Sequence, residues 1–366
     1  MEESTKVLAE SLSPICRAQA VVEESDTCIY FYLWIDTGGE RPEVRSCWVC
    51  NTAEAPEEVD RDAMLRGEAP RMPLSFISHN PEGIHLEKER LHIEWFEEGD
   101  AAALLEEDTI LAVIPGWSGF EGFCGYSKYA KDMGEFAWEL TEAEAAMEAK
   151  IAAGRRFWNR FEDEGYWERA QQIHLEALEN FFGPYEKYYA IDNGQFPPKA
   201  LLTGRKGDIS YAITLGVSLM VMPKVEQYYQ EEAGQYRRIE LGFAYREDAL
   251  NREEVSPMAM FQYISAQSCL PWREDGWLGH GHTVPCSQLN GIVRVLFVNA
   301  SLAGLLEKPE YPLYDGERIN LLYLVPLTQD DFDYVVEMGS VEALRRYSGT
   351  MDELIVYDGK SKFTRR

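Results

Sequence analysis

The chain has 366 residues, of which 45% are hydrophobic and 12% aromatic, so it has material for about two domains with cores of their own. Its 63 acidic and 35 basic residues give a formal net charge of −28, which would repel phosphate backbones and disfavours nucleic-acid binding. An acidic surface attracts basic proteins instead.

The sequence also argues against a membrane or secreted protein. No run of apolar residues is as long as a membrane span, and the N-terminal residues are acidic where a secretory signal is basic. The seven cysteines are an odd number scattered along the chain, which is typical of reduced thiols. These observations predict a cytoplasmic protein that has no membrane partner.

The first elements of the chain are predicted to be strands. Residues 27–34 are rich in aromatic and β-branched side chains, and residues 44–49 form a second candidate strand. The segment 36–40, Asp-Thr-Gly-Gly-Glu, predicts a turn that would join them as a hairpin. Residues 84–96 alternate as in a half-exposed strand pair, and residues 110–114 indicate a short buried strand.

Helical spacing of apolar residues begins near residue 135, and Thr141 with Glu144 matches a capping box. A second helix is predicted over 167–182, where Gly183 and Pro184 end it. The chain is therefore predicted to have three parts, an N-terminal β-rich module (1–150), a helical bridge (151–183) and a second domain (184–366).

The second domain is predicted to contain both strands and helices. Residues 208–222 indicate a strand that is almost wholly apolar towards its end. Residues 236–245 alternate cleanly, which predicts a strand with one apolar face. Three further strands are predicted at 292–299, 319–325 and 354–357.

Two helices are predicted between these strands. Residues 255–268 have Pro257 near their start, and Thr328 with Asp331 matches a capping box. Strands and helices in this order predict an α+β protein, with helices packed on a mostly antiparallel sheet, beside an N-terminal β-rich α+β module.

The second half resembles the Suppressor of fused family over about residues 175–360. The segments that carry the resemblance, in order, are ISYAITLGVSLM (209–220), RRIELGFAYRE (237–247), FQYISAQSCLPWREDGWLGHGHTV (261–284), INLLYLVPLTQDDFDYVVEMGSVEALRR (319–346) and ELIVYDGK (353–360). The most specific part is the combination of the WLGHGHT loop with the VPLT strand and the helix that follows it. For residues 1–150 we recognise no family.

The resemblance implies a non-enzymatic fold that binds proteins. Animal members restrain zinc-finger transcription factors, and bacterial members resemble immunity proteins that neutralise a toxin by occluding it. This chain has a different N-terminal half and lacks the animal C-terminal domain, so the animal role is not carried over. Leu219 also stands where the animal strand has an acid, which argues against the peptide-binding mode of the animal protein.

Two groups of residues have the spacing of metal ligands. Cys47 and Cys50 form one CxxC pair, but zinc needs four ligands and no second pair follows, so structural thiols are the favoured interpretation. His280 and His282 would share one face of a strand, with Asp275 or Cys286 as a third ligand.

A nucleophile set of Cys269, His280 and Asp275 is a further possibility. The resemblance places all three in a loop of a non-catalytic family. A structural role in fastening that loop is therefore the favoured interpretation.

The leading prediction is a cytoplasmic immunity-type protein that needs no cofactor and blocks a basic toxin. Acidic residues would steer the encounter, and a smaller aromatic patch would hold the partner. The candidate patch residues are Trp272, Trp277, Tyr228 and Tyr229. The alternatives are a metal-dependent hydrolase centred on His280 and His282, and a regulatory scaffold that binds a cellular client by strand addition.

Overall fold

The structure is a computed structural model that describes residues 5–36, 39–252, 255–305 and 307–363. The chain divides into two compact units, Met1–Asp163 with Trp272–Asp275, and Glu164–Pro271 with Gly276–Arg366. This division falls inside the predicted bridge 151–183. Within the described ranges, no helix is long and apolar enough to cross a membrane.

The first unit contains two antiparallel-rich sheets and little helix. Its strands are β1 Lys6–Leu12, β2 Ala18–Glu24, β3 Cys28–Ile35, β4 Glu43–Asn51, β5 Leu91–Trp95, β6 Ala102–Glu106, β7 Thr109–Ile114, β8 Tyr126–Ser127 and β9 Trp138–Glu139. Its helices are α1 Arg61–Leu65 and α2 Glu144–Asn159. Strands β1 to β4 form one sheet in that order, and β5 to β9 form the other.

The predicted hairpin of the first unit is confirmed, because β3 and β4 pair antiparallel. Residues 37–38 of the predicted turn lie outside the described residues. The prediction of a strand pair at 84–96 is wrong, since only β5 forms there, after a short 3-10 helix at Lys88–Arg90. The capping box at Thr141 is also wrong, because α2 begins after Ala143 and the Thr141 hydroxyl donates to Glu139.

The second unit is built on an eight-stranded sheet. Its strands are β10 Lys187–Ala190, β11 Ala200–Lys206, β12 Ile209–Leu215, β13 Arg238–Tyr245, β14 Thr283–Pro285, β15 Ile292–Asn299, β16 Ile319–Thr328 and β17 Val356–Tyr357. Its helices are α3 Tyr166–Phe182, α4 Val225–Tyr229, α5 Glu247–Arg252, α6 Pro257–Gln267, α7 Leu270–Arg273, α8 Gln329–Met338, α9 Ser340–Arg345 and α10 Met351–Ile355, of which α7 straddles the boundary at residue 272.

The order along this sheet is β10-β11-β12-β13-β16-β15-β14, and β17 pairs with β13. The pairings of β13 with β16 and with β17 are parallel and the others are antiparallel. One apolar cluster on this sheet includes residues of β11, β12, β15 and β16 together with α3 and the C-terminal helices. The predicted α+β class with a mostly antiparallel sheet is confirmed.

Helix ends in the second unit follow the sequence signals. Helix α3 ends at Gly183, whose φ of +83° suits glycine. Ser256 caps α6 and Pro257 occupies its first turn. Thr328 and Asp331 form the predicted capping box of α8. The predicted strand at 354–357 is only partly right, because residues up to Ile355 belong to α10.

The predicted strand at 208–222 is too long, because β12 ends at Leu215. The Thr214 hydroxyl accepts the Leu241 backbone N–H at 2.8 Å. In a continuing strand, a backbone carbonyl would accept this N–H instead. Gly216 then turns the chain with φ of +99° into a short 3-10 helix, Val217–Leu219. The apolar sequence alone does not show this turn, since its anchor, Glu240, lies on β13.

Replacing Gly216 by alanine is expected to lower the free energy of unfolding by about 2 kcal/mol. The new Cβ would lie 2.7 Å from the Trp167 ring and 2.8 Å from the Pro198 carbonyl oxygen, in a backbone conformation that L residues avoid. Gly207→Ala is the matched control, because Gly207 also has positive φ but has open space around it. Urea unfolding of both variants measures the difference, and equal losses would refute the steric part of the argument.

Both faces of β13 are buried, which the alternating sequence does not predict. Glu240 is fully buried, and its carboxylate accepts hydrogen bonds from the Gly216 and Ser218 backbone N–H groups and from the hydroxyls of Thr214 and Ser218, at 2.6–3.1 Å. Burial raises the pKa of Glu240 to about 7, although these donors favour the charged form. This buried carboxylate fixes the turn that ends β12.

Candidate functional site

In the loop between α7 and β14, the Trp277 ring lies close to Gly279. A Cβ on Gly279 would lie 2.3 Å from the Trp277 ring, so only glycine leaves room for the indole there. The loop is anchored to β15, because the Gly281 N–H donates to the Phe297 carbonyl at 2.8 Å and the Asn299 N–H donates to Nδ1 of His280 at 3.1 Å. Trp277 is therefore held in a fixed position.

Trp277 and four other rings form a connected group that we call the aromatic patch, Tyr228, Tyr229, Tyr236, Trp277 and His282. The Trp277 ring centroid lies 5.7 Å from that of Tyr228, 5.4 Å from Tyr229 and 4.3 Å from His282. Tyr229 also contacts Tyr236 at 4.2 Å. Two of these separations lie in the range typical of favourable aromatic pairs and the other two are shorter, so the rings are closely packed against one another.

The aromatic patch is accessible and has acidic neighbours along the chain. Tyr228 is 62% exposed, while Tyr229 and Trp277 are half-buried. The acids Glu231 and Glu232 follow directly in a 3-10 helix, Gln230–Gln235, and are exposed. Large aromatic side chains beside exposed carboxylates suit a partner that has both an apolar and a basic surface.

The structure brings together three of the four residues predicted for a binding patch. Tyr228, Tyr229 and Trp277 are in contact, whereas Trp272 is 3% exposed and offers no surface to a partner. Sequence reasoning missed Tyr236 and His282 as members. The sequence pattern predicts Tyr236 at the start of a strand, and it predicts His282 as a metal ligand or as a residue that fastens the loop, so neither prediction includes an aromatic surface.

The two histidines of the loop have different surroundings. Nδ1 of His280 accepts a backbone N–H, while the His282 ring packs on Trp277. Burial lowers the pKa of both residues, which favours neutral imidazoles. Among the residues that the structure describes, no group of three or more His, Cys, Asp or Glu side chains could hold a metal ion.

The remaining candidates for a third metal ligand or a nucleophile, Asp275, Cys286 and Cys269, each contact another residue. Asp275 Oδ2 accepts from Nη2 of Arg45 at 2.7 Å, within the first unit. The thiol of Cys286 donates to Gln288, and the sulfur of Cys269 lies 2.7 Å from Nζ of Lys199. Cys269, His280 and Asp275 each contact a residue outside the proposed nucleophile set, namely Lys199, Asn299 and Arg45.

The CxxC pair lies in the core of the first unit. Cys47 and Cys50 are completely buried on β4, and the Cys47 thiol donates to the Tyr126 carbonyl at 3.4 Å. Burial raises the pKa of both thiols, which keeps them protonated and unreactive. This environment is typical of structural thiols.

Comparison with known proteins finds a family model that matches part of the second unit. The family model described as Suppressor of fused protein (SUFU) matches residues 200–356. The match covers less than half of the chain. It includes the loop that holds Trp277, the segment Val225–Tyr229 and the central strands of the sheet, so the predicted resemblance is confirmed over this range.

Two solved structures are similar to this chain at low identity. The first, titled "the Sufu-Fu complex crystal structure", is 14% identical with a TM-score of 0.37, covering 53% of this chain and 92% of that one. The second, "Crystal structure of Drosophila Suppressor of Fused", is 13% identical with a TM-score of 0.34, covering 53% of this chain. This chain spans 51% of that second structure's length. No curated protein matches the chain.

Proposed function

We propose that this chain acts by binding a second protein, as a cytoplasmic immunity-type protein that blocks a basic toxin by occlusion. The observation that carries the proposal is the aromatic patch, a packed and partly exposed group of rings followed along the chain by exposed acids. The match of residues 200–356 to the Suppressor of fused family supports a binding role, because the resemblance implies a non-enzymatic fold.

The two kinds of side chain would contribute differently to binding. The exposed acids, together with the formal net charge of −28, raise the association rate of a basic partner. At the solvated rim of an interface they add little to the affinity. Trp and Tyr side chains that lose contact with water on binding supply most of the free energy. Because the rings are already packed together, little side-chain entropy is lost when the partner docks.

The proposal is tested by capturing the partner with the tagged chain, identifying it by mass spectrometry and expressing it alone and together with this chain. The captured protein should be toxic alone and harmless when co-expressed. Failure to capture a specific partner, or continued toxicity in the presence of the chain, would remove the immunity hypothesis.

With the partner in hand, Trp277→Ala is expected to weaken binding by about 30-fold or more, as loss of a central aromatic anchor does. Tyr185→Ala is the control, since Tyr185 is an aromatic residue of the second unit that is exposed and lies outside the aromatic patch. Calorimetric titration of both variants gives the dissociation constants. Unchanged binding by Trp277→Ala would show that the partner docks elsewhere.

Strand addition is a second candidate, and β10 is the favoured edge for it. The eight-stranded sheet, as described, ends at β10 and β14. Pro285 in β14 has no N–H, and its carbonyl already accepts the Tyr263 hydroxyl at 2.8 Å. A partner whose binding is lost in Ala190→Pro but kept in Trp277→Ala would use the β10 edge.

A further inference from the structure

Lys199 and Cys269 form a contact that neither the aromatic patch nor the sheet edges involve. Lys199 directly precedes β11, and Cys269 lies in the link between α6 and α7. Nζ of Lys199 is 2.7 Å from Sγ of Cys269. Lys199 is only 4% exposed, whereas Cys269 is exposed to solvent. A buried amine thus lies against a thiol that reagents can reach.

Because Lys199 is buried, its ammonium group needs a negatively charged or hydrogen-bonding partner nearby. Among the residues that the structure describes, Nζ of Lys199 makes no ion pair with a carboxylate, and Cys269 is its hydrogen-bond partner. Asp192 is close to the Lys199 backbone, but its carboxylate accepts the N–H groups of Lys199 and Gly194. A buried ammonium is costly without a neighbouring negative charge, and a thiolate at Cys269 would supply that charge.

The other cysteines are in environments that make them unreactive. Five are buried, and Cys124 is half-buried. Burial raises the pKa of Cys16, Cys47, Cys50, Cys124 and Cys286, which disfavours their thiolates. Cys269 alone among the seven combines exposure with a cation at hydrogen-bond distance.

We propose that Lys199 and Cys269 form a thiolate–ammonium pair that is a site of covalent modification by peroxides and soft electrophiles. With hydrogen peroxide, the Cys269 thiolate attacks one oxygen, an S–O bond forms and the O–O bond breaks. Sulfur is oxidised by two electrons to sulfenic acid, and the peroxide is reduced to hydroxide. The Lys199 ammonium protonates this hydroxide to water, so the buried amine loses its charge when the thiolate does.

The test is alkylation of the full-length protein with limiting iodoacetamide, followed by peptide mass spectrometry at several times. Cys269 should react at least about tenfold faster in the native protein than after unfolding in urea, because only the fold holds the ammonium beside the sulfur. Dimedone added after hydrogen peroxide should label Cys269 and leave Cys124 unlabelled. A native rate at or below the unfolded rate would overturn the proposal.

Variants of Lys199 provide the second arm. Lys199→Met should slow Cys269 alkylation by about tenfold, and Lys199→Arg should keep most of the wild-type rate, since it retains the positive charge. Cys286, which is buried in the same unit, reports whether that unit has loosened, because its alkylation rate would then rise. If Cys269 of Lys199→Met is alkylated at the wild-type rate while Cys286 is unchanged, Lys199 does not activate the thiol.

Discussion

Arg238→Met is expected to lower the free energy of unfolding by about 3–5 kcal/mol, the range found when one member of a buried ionic group is removed. Arg238 is fully buried at the start of β13. Its Nε donates to Glu317 at 2.6 Å, and its Nη1 donates to the carbonyls of Ser218 and Leu219 at 3.1 Å each. Methionine fills a similar volume but leaves both carbonyls without this donor.

Arg237→Met is the matched control for this prediction. Arg237 precedes Arg238 and also donates to Glu317, at 2.6 Å, but its side chain is 15% exposed and pairs with Glu226 at 3.7 Å. Its loss should cost only about 1 kcal/mol, because water can replace its contacts. Urea denaturation of both variants separates the two values. Similar losses for the two arginines would contradict the role assigned to the buried guanidinium.

The elements that could be predicted from sequence are those whose signals are local. The capping box of α8, the glycine that ends α3 and the apolar strands β15 and β16 all depend on residues within one turn or one strand. The structure forms them close to the predicted positions.

The errors occur where distant residues decide the local structure. The alternation in 236–245 predicts one apolar face, but β13 lies between β12 and β16, and both of its faces are buried. Arg238 and Glu240 are tolerated there because Glu317, Ser218 and Gly216 provide partners for them. Those partners lie about twenty to eighty positions away in the sequence, so no local pattern could reveal them.

The candidate site likewise combines features that the local sequence predicts with features that depend on distant residues. Tyr228 and Tyr229 are adjacent in a polar, acidic segment, so the local sequence indicates that this segment is accessible to solvent. That Trp277 joins them depends on how the loop is anchored to β15 by Gly281 and His280. Trp272, in contrast, is buried. Nothing in the spacing of the two tryptophans distinguishes them.

The dependence of stability on pH provides the second large prediction, because two buried groups in the second unit titrate in opposite senses. Burial raises the pKa of Glu240 from 4.5 to about 7. Burial, with a smaller effect from the nearby Arg238 charge, lowers the pKa of His174 from 6.5 to about 4. Neither ring nitrogen of His174 has a hydrogen-bond partner among the described residues, which leaves the neutral form favoured.

The signs follow from which state binds more protons. Between pH 4.5 and 7 the folded state holds the Glu240 proton more tightly, so its stabilising contribution is present below pH 4.5 and is lost as the pH rises through 7. Between pH 4 and 6.5 the unfolded state binds the His174 proton more tightly, so this contribution is present above pH 6.5 and is lost as the pH falls to 4. Each amounts to about 3 kcal/mol at most, and the two oppose each other over the shared interval.

Single variants should uncover the opposing slopes that the wild type conceals. Relative to the wild type, Glu240→Gln is expected to gain stability as the pH rises from 4.5 to 7, because the falling contribution of Glu240 is gone. His174→Phe keeps a buried ring and should lose stability relative to the wild type from pH 4 to 6.5. Urea unfolding at half-unit pH steps gives both difference curves, from which the titration of all other carboxylates cancels. Difference curves that are flat, or that slope in the same direction, would show that these two groups do not titrate as the buried network requires.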